Sequence, residues 1–493
     1  MPDADPSSLV IAALILPLAG AALAFALPRA AHWIGTATAA TVLLDVALLC
    51  GALGTAGAVE YSIGAWSAPL GIALRVDGLA AFMLLTSAAV ALSVAVYARS
   101  YFGPERENPA GFVPLSLLLL AGLNALFTSG DLFNLYIALE VLGLAAAALV
   151  ARAGGAAALT GAARYLLVTV AASLTYLLGV ALLYHMTGTL DIRLVGAAIA
   201  RAAPAGNGTA WTALGLMTAA MLFKSAVFPL HFWLPPAHAH APAPASALLS
   251  ALVVKASLYL LLRLWLEVMP LARADLGAVV GTLGACAVLW GSIQALRQDQ
   301  LKLLVAYSTV AQVGYLFIPF AVADAAAAAI AWQGAVYLVL CHALAKTAMF
   351  MAVGNVQTFG GDRIRELDHV VQRLPLTMAA FGIAGITIAG LPPSGGFVAK
   401  WLILEGVVAQ GRWDLAAVVL LGGLFASIYV FRVIGPAFTR GALPRQPRQV
   451  PAAMEWTALV LALATLALGF TAMPLLELLG AGAPFAGLPE ARP

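Results

Sequence analysis

The stretch LFKSAVFPLHFWLPPAH, residues 222–238, closes a long apolar run and governs the architecture of the whole chain. Lys224 stands inside the hydrophobic segment, Pro229, Pro235 and Pro236 follow it, and His231, His238 and His240 flank the interruption. Proline has no backbone N–H and leaves carbonyls of the preceding turn without partners. At membrane depth such carbonyls are tolerated only where protein or water satisfies them. The stretch therefore predicts a helix that breaks beside a polar cavity, with Lys224 at the cavity's edge.

The rest of the chain makes that setting a membrane. Of 493 residues, 63% are hydrophobic and 10% charged, the balance of a polytopic membrane protein rather than a soluble domain. The net charge is +3 and no basic patch interleaved with aromatics occurs, so nucleic acid is not an expected partner. Cys50, Cys286 and Cys341 lie in separate apolar runs without CxxC or Cys/His spacing. No metal, cluster, cofactor or disulfide framework is expected. The N-terminal MPDADPSS is acidic and lacks a basic n-region, so the first apolar segment is expected to stay as a helix rather than be cleaved as a signal peptide.

Fourteen apolar stretches are long enough, as helices, to cross about 30 Å of hydrocarbon. The expected fold is all-α: helices 1–3 over residues 1–110, five helices over 111–268, five over 269–440, and a last helix with its tail over 441–493. The span 374–411 is too long for one plain crossing and carries LPPSGGF in its middle. It reads as a second broken helix, and the break in 209–238 is placed at Pro229 and again at Pro235 and Pro236. Two Pro-interrupted helices, each with a lysine near its break (Lys224 and Lys400), predict two equivalent halves of the kind transporters use.

Basic residues mark the cytoplasmic side. They gather in the odd-numbered loops, at Arg29, Arg99, Arg106, Arg152, Arg164, Arg297, Lys302, Arg363, Arg365, Arg373, Arg432, Arg440, Arg445 and Arg448, against Arg75, Arg193, Arg201, Arg273 and Arg412 in the even ones. Both termini are thus expected outside. No loop is long enough for a soluble catalytic domain, so any chemistry belongs within the bilayer.

Five lysines stand against 20 arginines, and four of them, Lys224, Lys255, Lys346 and Lys400, fall inside hydrophobic segments. A buried ammonium can give up its proton near neutral pH, whereas a guanidinium cannot. Each charge at a helix centre opposes insertion by about 2.5 to 3.5 kcal/mol, so these lysines must be paired, hydrated or neutral, unless long stems let them snorkel to the headgroups. Glu140, in GDLFNLYIALEVLGLAA, is the acidic partner within reach of the same layer. Its alternatives are a switching pair and a static structural pair. Asp131 heads the same helix and reads as its cap; Asp45 and Glu405 lie at membrane depth without an assigned role.

In CHALAKTAMF, His342 and Lys346 are spaced i, i+4 and share one helix face. Imidazole titrates near neutral pH, so the pair can relay protons, or His342 can be a hydrogen-bonded packing residue. His231, His238 and His240 offer proton access after the first break. Metal binding is their rival, but His238 and His240 have no nearby acid to complete a site.

The stretches GAWSAPLGIALRVDGLAAFML, GDLFNLYIALEVL, FKSAVFPLHFWLPPAHAHAPAPASALLSALVVK, DQLKLLVAYSTVAQVGY and GLPPSGGFVAKW occur in this order. Together they resemble the proton-translocating antiporter-like subunit family, which includes Mrp-type multisubunit cation/proton antiporters and the membrane arm of respiratory complex I. The Trp-Ser-Ala-Pro-Leu-Gly core of the first stretch is most similar to D-type Mrp subunits. The resemblance implies fourteen transmembrane helices with two inverted five-helix repeats and broken helices 7 and 12. It implies proton transfer by Glu140, Lys224, Lys255, His342, Lys346 and Lys400, with Glu140 and Lys224 switching and the proton leaving toward Lys400. It also implies other membrane subunits as partners, H⁺ and Na⁺ as the ions, the bacterial inner membrane as the location, and transport rather than enzymatic chemistry. A redox-driven complex is the alternative host, and a nonconducting scaffold is a third reading. Two departures bear on the choice. His240 stands where complex I relatives commonly carry a glutamate, and the chain stops shortly after the last span, so the distal complex I subunit type is not expected.

Overall fold

A computed structural model describes residues 6–103, 111–201, 208–269, 273–368, 370–439, 448–482 and 485. Arg106, Arg440 and Arg445, used above for orientation, lie outside the described residues. The N-terminal unit consists of α1 (Pro6–Ala26), α2 (Ala31–Ala56), an antiparallel hairpin of β1 (Val59–Ser62) and β2 (Ala73–Val76) in which Val59 faces Val76, and α3 (Gly78–Tyr101). Next come α4 (Phe112–Thr128), α5 (Leu132–Ala151), α6 (Gly155–Thr187) and a short surface helix, α7 (Ile192–Arg201). The first interrupted crossing is α8 (Gly208–Lys224) with α9 (Leu234–His240). After it, α10 (Ala243–Leu248) runs through a π-helical turn at Leu249–Val253 into α11 (Val254–Glu267). Then follow α12 (Arg273–Arg297), α13 (Leu301–Phe317), α14 (Ala325–Phe359) and a single turn, α15 (Val370–Arg373). The second interrupted crossing pairs α16 (Pro375–Ala389) with α17 (Gly395–Ala409). Last come α18 (Trp413–Ala437), α19 (Ala452–Phe470) and the short α20 (Ala472–Gly480).

Eleven described helices are long and apolar enough to cross a bilayer. The three other expected crossings are α4, of 17 residues, and the two interrupted ones. The chain is a multi-pass, all-α membrane protein, and the hairpin, α7 and α20 are surface additions that no periodicity announced. One detail differs from expectation. The first break runs from Ser225 to Trp233, and Pro235 and Pro236 open α9 rather than interrupt a helix. The first helical turn has unpaired N–H groups in any case, so proline is tolerated there.

Local chemistry fixes the helix ends. The Asp131 carboxylate accepts from the N–H groups of Phe133 (2.9 Å) and Asn134 (2.7 Å), the cap expected of it. Asp77, Asp324 and Ser394 cap α3, α14 and α17 in the same way. Layering follows burial. The most apolar windows of Ala243–Glu267 and Ala325–Phe359 are 100% buried, against 28% for Pro6–Ala26, so the protein core is the α10–α11 and α14 pair with α13 between neighbours, and α1 faces lipid. Lipid is as apolar as leucine, so close backbone approach through small residues holds such helices together.

The second break shows that dependence at its sharpest. A Cβ added to Gly469 of α19 would lie 1.7 Å from the Pro393 carbonyl oxygen, a backbone atom that cannot swing away. Gly469→Ala is expected to displace the 390–394 turn from α19 and destabilise the protein by about 1 to 3 kcal/mol. A thermal melt of the purified protein reads this, and an unchanged midpoint would show that the turn is not held there.

Candidate functional site

Lys224 is the last residue of α8, where the helix dipole favours a cation. Two residues on, Ala226 holds a left-handed backbone (φ 53°), a conformation rare for residues with a side chain and found where function retains strain. The Trp233 indole donates to the Phe223 carbonyl at 3.0 Å, which also accepts from the Ala226 N–H at 3.1 Å, so protein groups satisfy the backbone at the break. Beside the ammonium lies a cavity of about 10 Å³ lined by Leu139, Tyr165, Thr169 and Ser257, the size of a single water site. Ser225 and Ser257 share a hydrogen bond of 2.8 Å across the same gap. Glu140 does not close an ion pair on Lys224. Its Oε1 is buried without a partner, although Lys224 lies in its field. The two expected partners are near enough to feel each other's charge but are not paired.

Lys255 is fully buried, and its ammonium donates to the Ser250 carbonyl in the π-helical turn one step before it. Such turns release a carbonyl from the regular ladder. The hydroxyl of the same serine makes separate contacts that cross to α13 and α14. Ser250 Oγ and Thr309 Oγ1 are 2.8 Å apart, and Thr309 donates to the Val305 carbonyl at 3.1 Å. That same carbonyl accepts from Lys346 Nζ at 2.9 Å, and Lys346 also donates to Ser308 Oγ. One turn further along α13, Gln312 donates to the Ile388 carbonyl at 3.1 Å, which Lys400 Nζ reaches at 2.6 Å. Lys400 thus answers the carbonyls freed at the second break and lies 4.2 Å from the centroid of the Tyr315 ring.

Among the sequence candidates, Lys224, Lys255, Lys346 and Lys400 are all buried in the protein rather than directed to headgroups. His342 is buried with both ring nitrogens unpartnered, within the fields of Lys255, Lys346 and Lys400 but hydrogen-bonded to none of them. The i, i+4 spacing from Lys346 puts the two on one face without joining them. His231 accepts from Trp290 Nε1 at 3.2 Å. His238 is buried and stacked on Phe350, within the fields of Lys346, Lys302 and Lys255. His240 is exposed at the end of α9. Asp45 is buried with Oδ2 unpartnered on α2, away from this line, and Glu405 is exposed.

Lys302 requires a correction. Its neighbours in sequence put it among the basic loop residues; it is instead buried in the first turn of α13, and its ammonium donates to the Ala241 carbonyl at 2.6 Å. All five lysines are therefore interior. Ser250, Ser308, Thr309 and Gln312 join the site as residues that hydropathy does not single out, although a Ser-Thr pair with a glutamine one turn later inside an apolar helix is a visible signal.

A second polar cluster closes the face that carries the hairpin. Arg263 grips Asp77 with both nitrogens, 2.6 Å on the Nη1 side, and meets Glu267 at 3.4 Å. Arg75 lies 3.6 Å from Asp77 and 3.3 Å from Glu267, and Arg193 pairs with Glu60 at 2.6 Å. Burial alone would raise the Asp77 carboxyl, but Arg263 and the Ala80 N–H outweigh it and hold it below the usual carboxylate range. Asp131 goes the other way, raised chiefly by burial, with Asp191 across an isolated bridge adding to it.

A sequence profile described as "NADH:quinone oxidoreductase/Mrp antiporter, TM" matches residues 129–426, the region that holds every lysine. Over 400 residues the chain is 38% identical to a NADH-quinone oxidoreductase subunit N of Desulforudis audaxviator, covering 80% of this chain and 78% of that one. It is 30% identical over 436 residues to the D-type subunit of a Na(+)/H(+) antiporter of Bacillus subtilis, covering 88% and 87%. A chain in the structure of the Mrp complex from Dietzia sp. DQ12-45-1b superposes with a TM-score of 0.89 at 24% identity, over 98% of this chain and 97% of that one, which is a likeness of fold.

Proposed function

Since the chain belongs to the NADH:quinone oxidoreductase/Mrp antiporter transmembrane family, we propose that it is the D-like, proton-conducting subunit of a multisubunit Na⁺/H⁺ antiporter in a bacterial inner membrane, with both termini outside. The observation that carries this reading is the line of buried polar groups from Lys255 past Ser250 and Thr309 to Lys346, in which the Ser250 and Val305 carbonyls hold the two ammoniums, with a broken helix at each side. Protons enter near Glu140 and Lys224, pass Lys255 and Lys346 and reach Lys400, while His342 tunes the field between them. Residues 111–268 and 269–440 act as two inverted repeats, each contributing one break with a left-handed residue, Ala226 or Gly390, close in space or sequence to its lysine. A potential of 100 mV supplies about 2.3 kcal/mol per charge moved, and an ion pair at 4 Å and an effective dielectric near 20 is worth about 4 kcal/mol. The driving force and the switch are of comparable size, so closing or opening the Glu140–Lys224 pair can gate one proton.

The 38% identity to a NADH-quinone oxidoreductase subunit N favours a second reading, in which the same axis serves a redox-driven complex. One preparation separates them. The complex purified with its partners and reconstituted in vesicles is expected to collapse an imposed pH gradient when Na⁺ is added and to ignore NADH and quinone. A gradient that forms only during NADH-quinone turnover, with iron–sulfur subunits among the partners, assigns the chain to the second host. Response to neither leaves the conducting role without support.

A further inference from the structure

Four of the five lysines donate to a backbone carbonyl: Lys255 to Ser250, Lys302 to Ala241, Lys346 to Val305 and Lys400 to Ile388. Lys224 has no such acceptor among the described residues and faces the cavity of about 10 Å³ instead. Three buried hydroxyl side chains share that cavity with it, Tyr165 and Thr169 of α6 and Ser257 of α11. Tyr165 and Thr169 are four residues apart and stand on one helix face. The Tyr165 ring is fixed at the break: it packs T-shaped on Trp233 with centroids 5.0 Å apart, and Trp233 donates to the carbonyl of Phe223, the residue before Lys224. Ser257 already meets Ser225 Oγ at 2.8 Å and the Val254 carbonyl at 3.1 Å, which makes the α6 pair the main polar wall.

We propose that this cavity is a binding site for one water molecule, held by the Tyr165 hydroxyl, and that this water is the group with which Lys224 exchanges its proton. The inference rests on the conducting role argued above. The cavity has the volume of a single water, which needs about two to four polar partners, and the ammonium and the hydroxyls supply them. A metal cation does not fit the chemistry, because the Lys224 ammonium lies in the wall and no carboxylate lines the cavity to offset it. The other end of the exchange is Glu140, whose field reaches both Tyr165 and Lys224 and whose neighbours Leu139 and Gly143 line the same cavity. The water trades one proton with Lys224 and one with Glu140, each hop making one bond to hydrogen as another breaks, so the water is restored. A hydroxyl both accepts and donates, so Tyr165 orients the water in either state. It acts through that water and is a positioning residue.

Tyr165→Phe keeps the ring on Trp233 and removes only the hydroxyl. In vesicles that contain the full complex, maximal proton movement under its driver, Na⁺ or NADH, is expected to fall about tenfold, the change that follows when one hydrogen bond worth about 1.4 kcal/mol is lost. The half-saturating concentration of the driver and the midpoint of thermal unfolding are expected to stay at their wild-type values. Adding Thr169→Val, which replaces the neighbouring hydroxyl by a methyl, is expected to lower the rate further. Full rate in Tyr165→Phe, with Lys224→Ala inactive, overturns the water site and leaves the axis standing. A lower rate that comes with a lowered unfolding midpoint or a shifted half-saturating concentration gives Tyr165 a packing role and overturns the assignment. Wild-type proton movement in Lys224→Ala, or a complex that answers neither driver, removes the axis and the water site together.

Discussion

Lys224→Ala is expected to reduce cation-driven proton exchange to background while the complex assembles normally. The side chain ends at a helix break beside a water-sized cavity, in the field of a carboxylate that does not yet touch it. If the switch is worth about 4 kcal/mol, its loss corresponds to about a thousandfold in rate, beyond what a vesicle assay resolves. The informative companion is Lys224→Arg. It restores the positive charge and much of the length but cannot release a proton, so it should fail as completely as alanine. Exchange rescued by arginine would mean that the position needs a fixed charge rather than a titrating one, and the account of the axis would fall. Assembly is read independently by co-purification of the partner subunits.

The second large effect concerns stability. Asp77→Ala leaves the buried Arg263 with Glu267 at 3.4 Å as its remaining acidic contact, and breaking a buried pair by removing one partner costs about 3 to 5 kcal/mol. The midpoint of thermal unfolding should fall clearly, and much less for Asp77→Asn combined with Arg263→Gln, because no charge is then stranded. The pH dependence has a definite sign. The folded carboxyl is held below its ordinary value, so its stabilisation is fully present above the unfolded pKa of about 3.9 and is lost as pH falls through the folded value. Wild type and the neutral double variant should therefore run parallel from neutral pH to about pH 4 and converge below it. Convergence already at pH 6 would contradict the assignment.

Much of the site is legible in the sequence because the membrane makes ionisable groups conspicuous. A lysine in an apolar run is read from composition alone, and Lys224, Lys255, Lys346 and Lys400 are identified in this way. Lys302 is not, because it opens its helix next to Gln300 and Asp299 and looks like a loop residue. Only the approach of the α9 end, with the Ala241 carbonyl, encloses it. His342 is a different case. Its spacing from Lys346 promises a relay, yet Lys346 turns to Val305 and Ser308 on another helix, since a side chain four residues away shares a face but not necessarily a partner.

Reading along the chain is enough to establish a membrane protein of fourteen crossings with two broken helices, and to pick out four of the ionisable side chains buried within it. Those are local properties: hydropathy over a span, proline's missing donor, and the cost of a charge in hydrocarbon all act within a few turns of one helix. The connections have a different origin. The link through Ser250, Thr309 and Val305, the open gap between Glu140 and Lys224, and the Asp77–Arg263 pair join residues far apart in sequence. Hydrogen bonds reach about 3 Å, so which donor meets which acceptor is settled only when helices pack.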